Sequence, residues 1–432
     1  MSTISLDLKT TGVAEVIVIL DESGDGQLAA NSLAVRKLRK HFGGSELSQE
    51  SAIIEDGFVD AVSPSREPSA RPPRSATRKR RSESPTREGM RFYPNLGIAY
   101  GSVDREGLAA LRKEPQVVTV SGAPQLRLIR PTKKVKASLT RRVAWGIDAL
   151  GIPELWDQGL TGKDIVVAHL DTGVDGRHPQ LQAAIGAFVE VDRLGTVIDT
   201  HPTAFDTDDH GTHTAGTIAG RPQRNTNKCI GVAPDAMLAS AVVIEGGRTI
   251  ARVLAGMDWA LGEGARILSM SLGFPGYVED FLPITRVLRR KGMLPIIAVG
   301  NEGPGTSRSP GNYTDALSIG WANRDETVDP DSSSQRFRRR TQPVVPDLVG
   351  PGGDIVSARP GGGFQLMSGT SMATPHIAGL AALLLQAKPE ATVTQLERAI
   401  LSSCQLLPGV PGNRQGRGFP NGARALARIQ LR

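Results

Sequence analysis

The sequence predicts an α/β protein: a large domain built on a mainly parallel sheet, preceded by a small α+β domain. Three observations carry this. Near-continuous apolar runs of strand length recur at 164–170 (DIVVAHL), 237–244 (MLASAVVI), 265–271 (ARILSMS) and 293–300 (MLPIIAVG). Helical stretches such as TIARVLAGMDWALGEG lie between them, and apolar strands alternating with helices imply a sheet covered on both faces. Ahead of residue 143 the composition changes, and a Pro-, Ser- and Arg-rich stretch interrupts shorter elements.

The 432 residues exceed one average domain and allow a large core plus an accessory unit. Apolar residues make up 39% and aromatics only 4%, so the core is expected to be Val, Ile, Leu and Ala. Lys and Arg outnumber Asp and Glu by 51 to 44, an excess too small to indicate a nucleic-acid partner. Cys229 and Cys404 are the two cysteines, which excludes a disulfide-framed fold, and we expect ordinary semi-buried thiols. No uninterrupted apolar run reaches eighteen residues, so no membrane span is expected. The apolar stretch VAEVIVIL near the start is short and broken by Glu15, so it reads as a strand rather than a signal peptide. A cytoplasmic location is the expectation that follows, with non-classical secretion as the alternative.

In chain order, VAEVIVIL at 13–20 is a strand and LAANSLAVRKLRKHF a helix. Residues 64–89, PSREPSARPPRSATRKRRSESPTREG, lack the apolar groups that would offset the entropy of ordering. We expect a solvated, protease-sensitive loop there rather than a nucleic-acid arm or a phosphorylated tail. Order resumes at MRFYPNLGIAYGSV. Asp104 is placed to cap a short helix in which Leu108 and Leu111 share a face, ended before Pro115 and followed by the strand VVTV. These pieces make residues 1–142 one predicted domain and 143–432 the other.

Residues just past the carboxyl ends of parallel strands gather on one rim. Asp171 and Asn301 fall there. Asp171 opens DTG, a triplet that pepsin-like proteases also use, but those need two such carboxylates and this chain has one DTG in a parallel context. His210 stands in DTDDHGTHTAGTIAG, at the start of a small-residue helix that can approach the sheet closely, and His213, one turn on, is expected to be structural. Asp206, Asp208, Asp209, His210 and His213 invite a metal reading, yet the spacing is not H-E-x-x-H. Ser371, in SGTSMATPHIAG, follows the tight bend allowed by Gly369 and begins an apolar helix, with Pro375 near the first turn. A hydroxyl at a helix start is exposed at the rim, and the negative oxygen formed on attack meets helix-end amides. Such a serine needs a base and an orienting acid, which His210 and Asp171 supply. Asn301, in AVGNEGPG, can donate its amide to the same oxyanion.

The motifs VAHLDTGVDGRHPQL, HGTHTAGTIAG, GVAPDAML, ILSMSLG, VGNEGPG, PDLVGPGGDIVSA and GTSMATPHIAG together resemble the subtilisin-like serine protease family (subtilases, peptidase S8) over residues 143–429. The order Asp, His, Ser is that family's order. The resemblance implies a three-layer core and a serine endopeptidase with Asp171, His210 and Ser371 as triad and Asn301 at the oxyanion. It also implies that Ser271, Leu272 and Gly273 pair with substrate backbone, with Gly300 and Gly303 walling the pocket before the scissile bond. Nothing acidic stands out there to demand Arg or Lys, so broad or apolar preference is expected.

Residues 1–142 resemble the family's inhibitory propeptide, interrupted here by the basic stretch. That implies an intramolecular inhibitor removed by cleavage between residues 121 and 142. No cofactor is implied for the chemistry; structural calcium is, without ligands that the sequence identifies. The loop SSSQRFRRRTQPVV departs from the family in being basic around residues 337–340. The alternative class is a silent peptide-binding module or a permanently autoinhibited homologue.

Overall fold

The computed structural model describes residues 3–21, 32–43, 89–244 and 248–431. They form two compact units, Met1–Phe92 with Ile98–Gly122, and Tyr93–Gly97 with Ala123–Arg432. The basic stretch, up to residue 88, and the first four residues of the predicted helix at 28–42 lie outside the described residues.

In the smaller unit, Ala14–Leu20 pairs antiparallel with both Ile98–Val103 and Val117–Gly122. The apolar residues of that central strand are buried, which is why its run is so continuous. Helices Leu33–Arg39 and Arg105–Leu111 are each capped by a side chain, Ser32 taking the Val35 N–H and Asp104 the Gly107 N–H. Leu108 and Leu111 are buried as their spacing requires. A further helix, Thr3–Thr10, was not read from the sequence; Ile4 and Leu8, four apart, are its buried face.

The larger unit is built on a sheet with eight strands among the described residues, in the order Leu348–Pro351, Leu317–Ala322, Leu294–Ala298, Ile267–Met270, Val166–Asp171, Met237–Val242, Ile185–Val191, Val197–Ile198. Every pairing is parallel except the last, at the edge. The four strands read from the sequence are its centre, where both faces are covered. Helix Thr370–Ala387 is buried from Thr370 to Leu385 and packs on helix His210–Ala219 and on the sheet. Among the described residues no helix is long and apolar enough to cross a membrane.

Candidate active site

Asp171 is the last residue of the strand Val166–Asp171 and is 2% exposed. The turn that follows is packed against the start of helix His210–Ala219 so tightly that a Cβ on Gly211 would lie 2.0 Å from the Gly173 carbonyl oxygen. Only glycine permits that approach, and it brings His210 onto the carboxylate. His210 Nδ1 is 2.7 Å from Asp171 Oδ1, which also accepts the Thr172 N–H at 2.7 Å. Burial opposes ionisation of Asp171, but the charge and hydrogen bond of His210 outweigh it and hold the carboxyl below its usual range. Burial likewise opposes a charged His210; Asp171, helped by Asp206 and Asp208, prevails and raises its pKa above the ordinary histidine value. The pair is therefore set up to stabilise an imidazolium.

The acidic run before His210 has its own work. Asp206 accepts from Thr172 Oγ1, Thr212 N and Thr212 Oγ1, each at 2.6 Å, tying the turn after Asp171 to the helix start. His213 bonds the Ile355 carbonyl at 3.0 Å, and burial keeps its pKa down at about 3, a structural role. No group of three or more His, Cys, Asp or Glu able to hold a metal occurs among the described residues. The calcium expectation thus gains no such ligand cluster.

Ser371 is the second residue of helix Thr370–Ala387 and is fully buried. Gly369 precedes it at φ +153°, and a Cβ there would come within 2.9 Å of Asn301 Nδ2, so the bend and the asparagine need glycine. Asn301 is anchored to this helix start, its Oδ1 accepting from Thr370 N at 2.9 Å and Thr370 Oγ1 at 2.8 Å. That leaves Nδ2 free to donate outward. Pro375 is the sixth residue of the helix, beyond the first turn where the sequence placed it. Proline cannot donate to the Ser371 carbonyl, and Ser271 Oγ meets that oxygen instead at 3.4 Å.

The expected substrate strand is in use by the chain itself. Arg127–Leu128 pairs antiparallel with Leu272–Pro275, Leu128 opposite Leu272 and Arg127 opposite Gly273. Ile129 N–H donates to the Ser271 carbonyl at 2.9 Å. Ser371 Oγ donates to the Ile129 carbonyl at 2.6 Å, while Asn301 Nδ2 donates to the next carbonyl, that of Arg130, at 2.9 Å. Among the described residues His210 Nε2 is buried and has no hydrogen-bond partner. Beyond Pro131 the chain continues as Lys133–Ala137, antiparallel to Phe364–Ser368. Lys134 and Arg130 pair with Asp209 and Asp208.

Gly300 and Gly303, at φ +121° and +78°, flank Asn301 and Glu302 in the turn after Leu294–Ala298. Glu302 is an acidic residue in the turn expected to wall the pocket, and it is engaged by Arg308, whose Nε lies 2.7 Å from Oε1. Cys229 and Cys404 are free, and burial pushes their thiols up to about 11 and about 12.

A model of the subtilase family matches residues 162–419. Subtilisin E of Bacillus subtilis is 32% identical over 322 residues, covering 73% of this chain and 77% of that protein. Subtilisin Savinase of Lederbergia lenta is 32% identical over 281 residues, 65% of this chain and 97% of its own length. An alkaline protease of Alkalihalobacillus alcalophilus is 31% identical over 286 residues, 66% of this chain and 70% of that protein. With the mainly parallel sheet and the Asp171–His210 contact in place, these matches show that the chain belongs to the subtilase family and is a serine endopeptidase that needs no cofactor for its chemistry.

Proposed function

We propose that the chain hydrolyses peptide bonds in proteins with broad, mainly apolar preference, through Ser371, His210 and Asp171, and that its own N-terminal region restrains it until cleaved. The supporting observation is the path of residues 127–130, which lie along Leu272–Pro275 as an extended peptide would, with one backbone carbonyl on Ser371 and the next on Asn301.

In the reaction, His210 Nε2 takes the Ser371 proton as Oγ attacks the carbonyl carbon, and the oxyanion is met by Asn301 Nδ2 and the Ser371 backbone N–H. His210 then protonates the leaving amine, and water resolves the acyl-enzyme with His210 again as base. Asp171 keeps Nδ1 protonated and stabilises the imidazolium throughout.

Attack requires a single carbonyl to face both Ser371 and Asn301. Here the two groups hold neighbouring carbonyls, and the Ser371 proton is directed at Ile129 rather than at His210. That split accounts for an intact strand in the cleft and supports an inhibitor read from residues 1–142, with the cut between residues 121 and 142. Ile129 at the position next to Ser371, and Glu302 neutralised by Arg308, both favour uncharged side chains before the scissile bond.

The same split favours one second reading, a homologue silenced permanently by this strand. Incubating the purified full-length chain with casein and sequencing any new amino terminus separates the two. We expect casein fragments and a terminus between residues 121 and 142, with neither from S371A. A fluorophosphonate that fails to label Ser371 even after the N-terminal region is removed would establish silencing.

A further inference from the structure

Beside Asp171 runs a line of buried polar groups. His169 stands two residues before Asp171 on the same strand, so both side chains lie on one face, and it is 1% exposed. The register sets Ser240 of the neighbouring strand beside it. His169 Nδ1 is 2.9 Å from Ser240 Oγ, and Nε2 is 2.8 Å from Thr214 Oγ1 on helix His210–Ala219. Thr214 Oγ1 is in turn 3.2 Å from Asp171 Oδ2. Three buried polar side chains cost free energy that valine or alanine in their places would not. Each is bonded, so the cost is offset only while the line stays whole.

The proton directions follow from counting. Thr214 has one hydroxyl proton and four acceptors in reach: Asp171 Oδ2, the His210 carbonyl at 3.2 Å, the Gly211 carbonyl at 3.1 Å and, in one of its tautomers, His169 Nε2 at 2.8 Å. An ionised carboxylate is the strongest of these. With its proton given to Asp171, Thr214 Oγ1 can meet His169 Nε2 only as an acceptor, so Nε2 carries the hydrogen. A neutral imidazole has one N–H, which makes Nδ1 the acceptor for the Ser240 hydroxyl. Burial keeps His169 neutral, its pKa pushed down to about 4 against the opposing charge of Asp171. The charged or titratable groups facing it are Asp171 on its own strand and His210 on the packed helix; Ser240 and Ser269 face it from the neighbouring strands.

We propose that Ser240, His169 and Thr214 form a donor relay that positions Asp171 and tempers its hydrogen bond to His210. The inference rests on Asp171 and His210 being the catalytic acid and base pair. Asp171 Oδ1 already serves His210 and Thr172 N–H, and the relay is what satisfies Oδ2. Donation at Oδ2 fixes the plane of the carboxylate and draws charge from Oδ1. Without it the carboxylate turns more freely and binds the His210 proton more tightly. These three are positioning residues, since none touches substrate.

The test compares T214V, H169V, T214S and H169Q in the full-length chain, with S371A as the blank. The readouts are kcat and KM on a chromogenic peptide, the acid limb of the pH–rate profile, melting temperature, and the downfield proton NMR signal of His210 Nδ1–H. The NMR signal reports the Asp171–His210 bond whether or not the cleft is open. T214V is expected to lower kcat about 10-fold, the loss of one hydrogen bond to a charged group, and H169V, which leaves that bond without its support, by less, with KM little changed in both. They should also move the acid limb upward and shift the downfield signal. T214S and H169Q, which keep a donor in line, restore all three. Variants that melt lower yet keep the wild-type limb and NMR signal would reduce the relay to packing and overturn the inference. Failure of the underlying assignment shows differently, as an S371A protein that turns over as fast as wild type.

Discussion

The two helices proposed to carry the reaction begin alike and stand in different states. His210 opens one and Ser371 is second in the other, both buried, each within two residues of a glycine that admits close packing. Yet His210 is gripped by Asp171 at 2.7 Å, whereas the Ser371 hydroxyl is turned onto Ile129 and leaves His210 Nε2 without a partner among the described residues. The difference teaches that the acid–base half is built wholly by the sheet and its helix. The Ser371 hydroxyl instead takes its direction from the segment that lies along Leu272–Pro275.

The largest effect should come from breaking the assembled half. Asp171→Asn keeps the shape but offers an amide to an imidazole that needs an anion, and it favours the wrong tautomer. A loss of about 10⁴ in kcat is expected, with KM little changed; steady-state kinetics on a small peptide substrate checks this. A change under 10-fold would mean that His210 does not depend on Asp171 and would dissolve the contrast between the two halves.

Breaking the other half should cost less. Asn301→Ala removes the outward amide, and a fall of about 10² to 10³ in kcat is expected, as for one oxyanion donor. It also frees Thr370 N and Oγ1 from Oδ1, so a modest fall in melting temperature should accompany it. Because Nδ2 also holds the Arg130 carbonyl, the strand 127–130 should be more readily cut in trans by added protease.

What was legible in the sequence follows the same division. Val166–Asp171, Met237–Val242, Ile267–Met270 and Leu294–Ala298 were readable because central parallel strands must be apolar on both faces. Ile185–Val191 was not, since near the sheet edge it keeps exposed and half-buried positions and its pattern breaks. Asp171, His210, Asn301 and Ser371 stood out because each lies at or just beyond the end of an element, within two residues of a glycine, where backbone demands are local. His169, Ser240 and Thr214 did not, because a buried polar residue has meaning only once its neighbour on the next strand or the packed helix is known. The occupation of the cleft by residues 127–130 was hidden for the same reason: it is a pairing across more than a hundred residues. Glu302 was overlooked because its partner Arg308 comes into reach only through the turn.

A pH measurement sharpens the acid–base half without mutation. In the proposed reaction only neutral His210 takes the Ser371 proton, and its pKa in the folded chain is raised by Asp171 against the effect of burial. The rate should therefore climb as pH rises through that raised value, with its acid limb above the ordinary histidine pKa of about 6.5. In the Asp171→Asn protein the limb should fall toward or below that value, because burial is then opposed only by Asp206 and Asp208.

The smallest effect concerns a carboxylate that lacks what Asp171 has. Asp347 is 8% exposed and its Oδ2 accepts the Ser318 N–H at 2.8 Å, but among the described residues no imidazole is hydrogen-bonded to it. Burial, with Glu397 adding to it, pushes its pKa up to about 7, against the pull of Arg339 and Arg289. Between the unfolded carboxyl value of about 3.9 and that raised one, the folded chain holds a proton that the unfolded chain has released. Asp347 thus contributes stability that is complete below the lower value and lost as pH rises through the upper one. Asp347→Asn keeps an acceptor for Ser318 N–H and cannot ionise, so it should melt a few degrees higher than wild type at pH 8 and no higher at pH 4. Calorimetry at the two pH values decides it. Equal differences at both would mean that Asp347, like Asp171, is held as an anion, and that burial without a histidine is not what separates them.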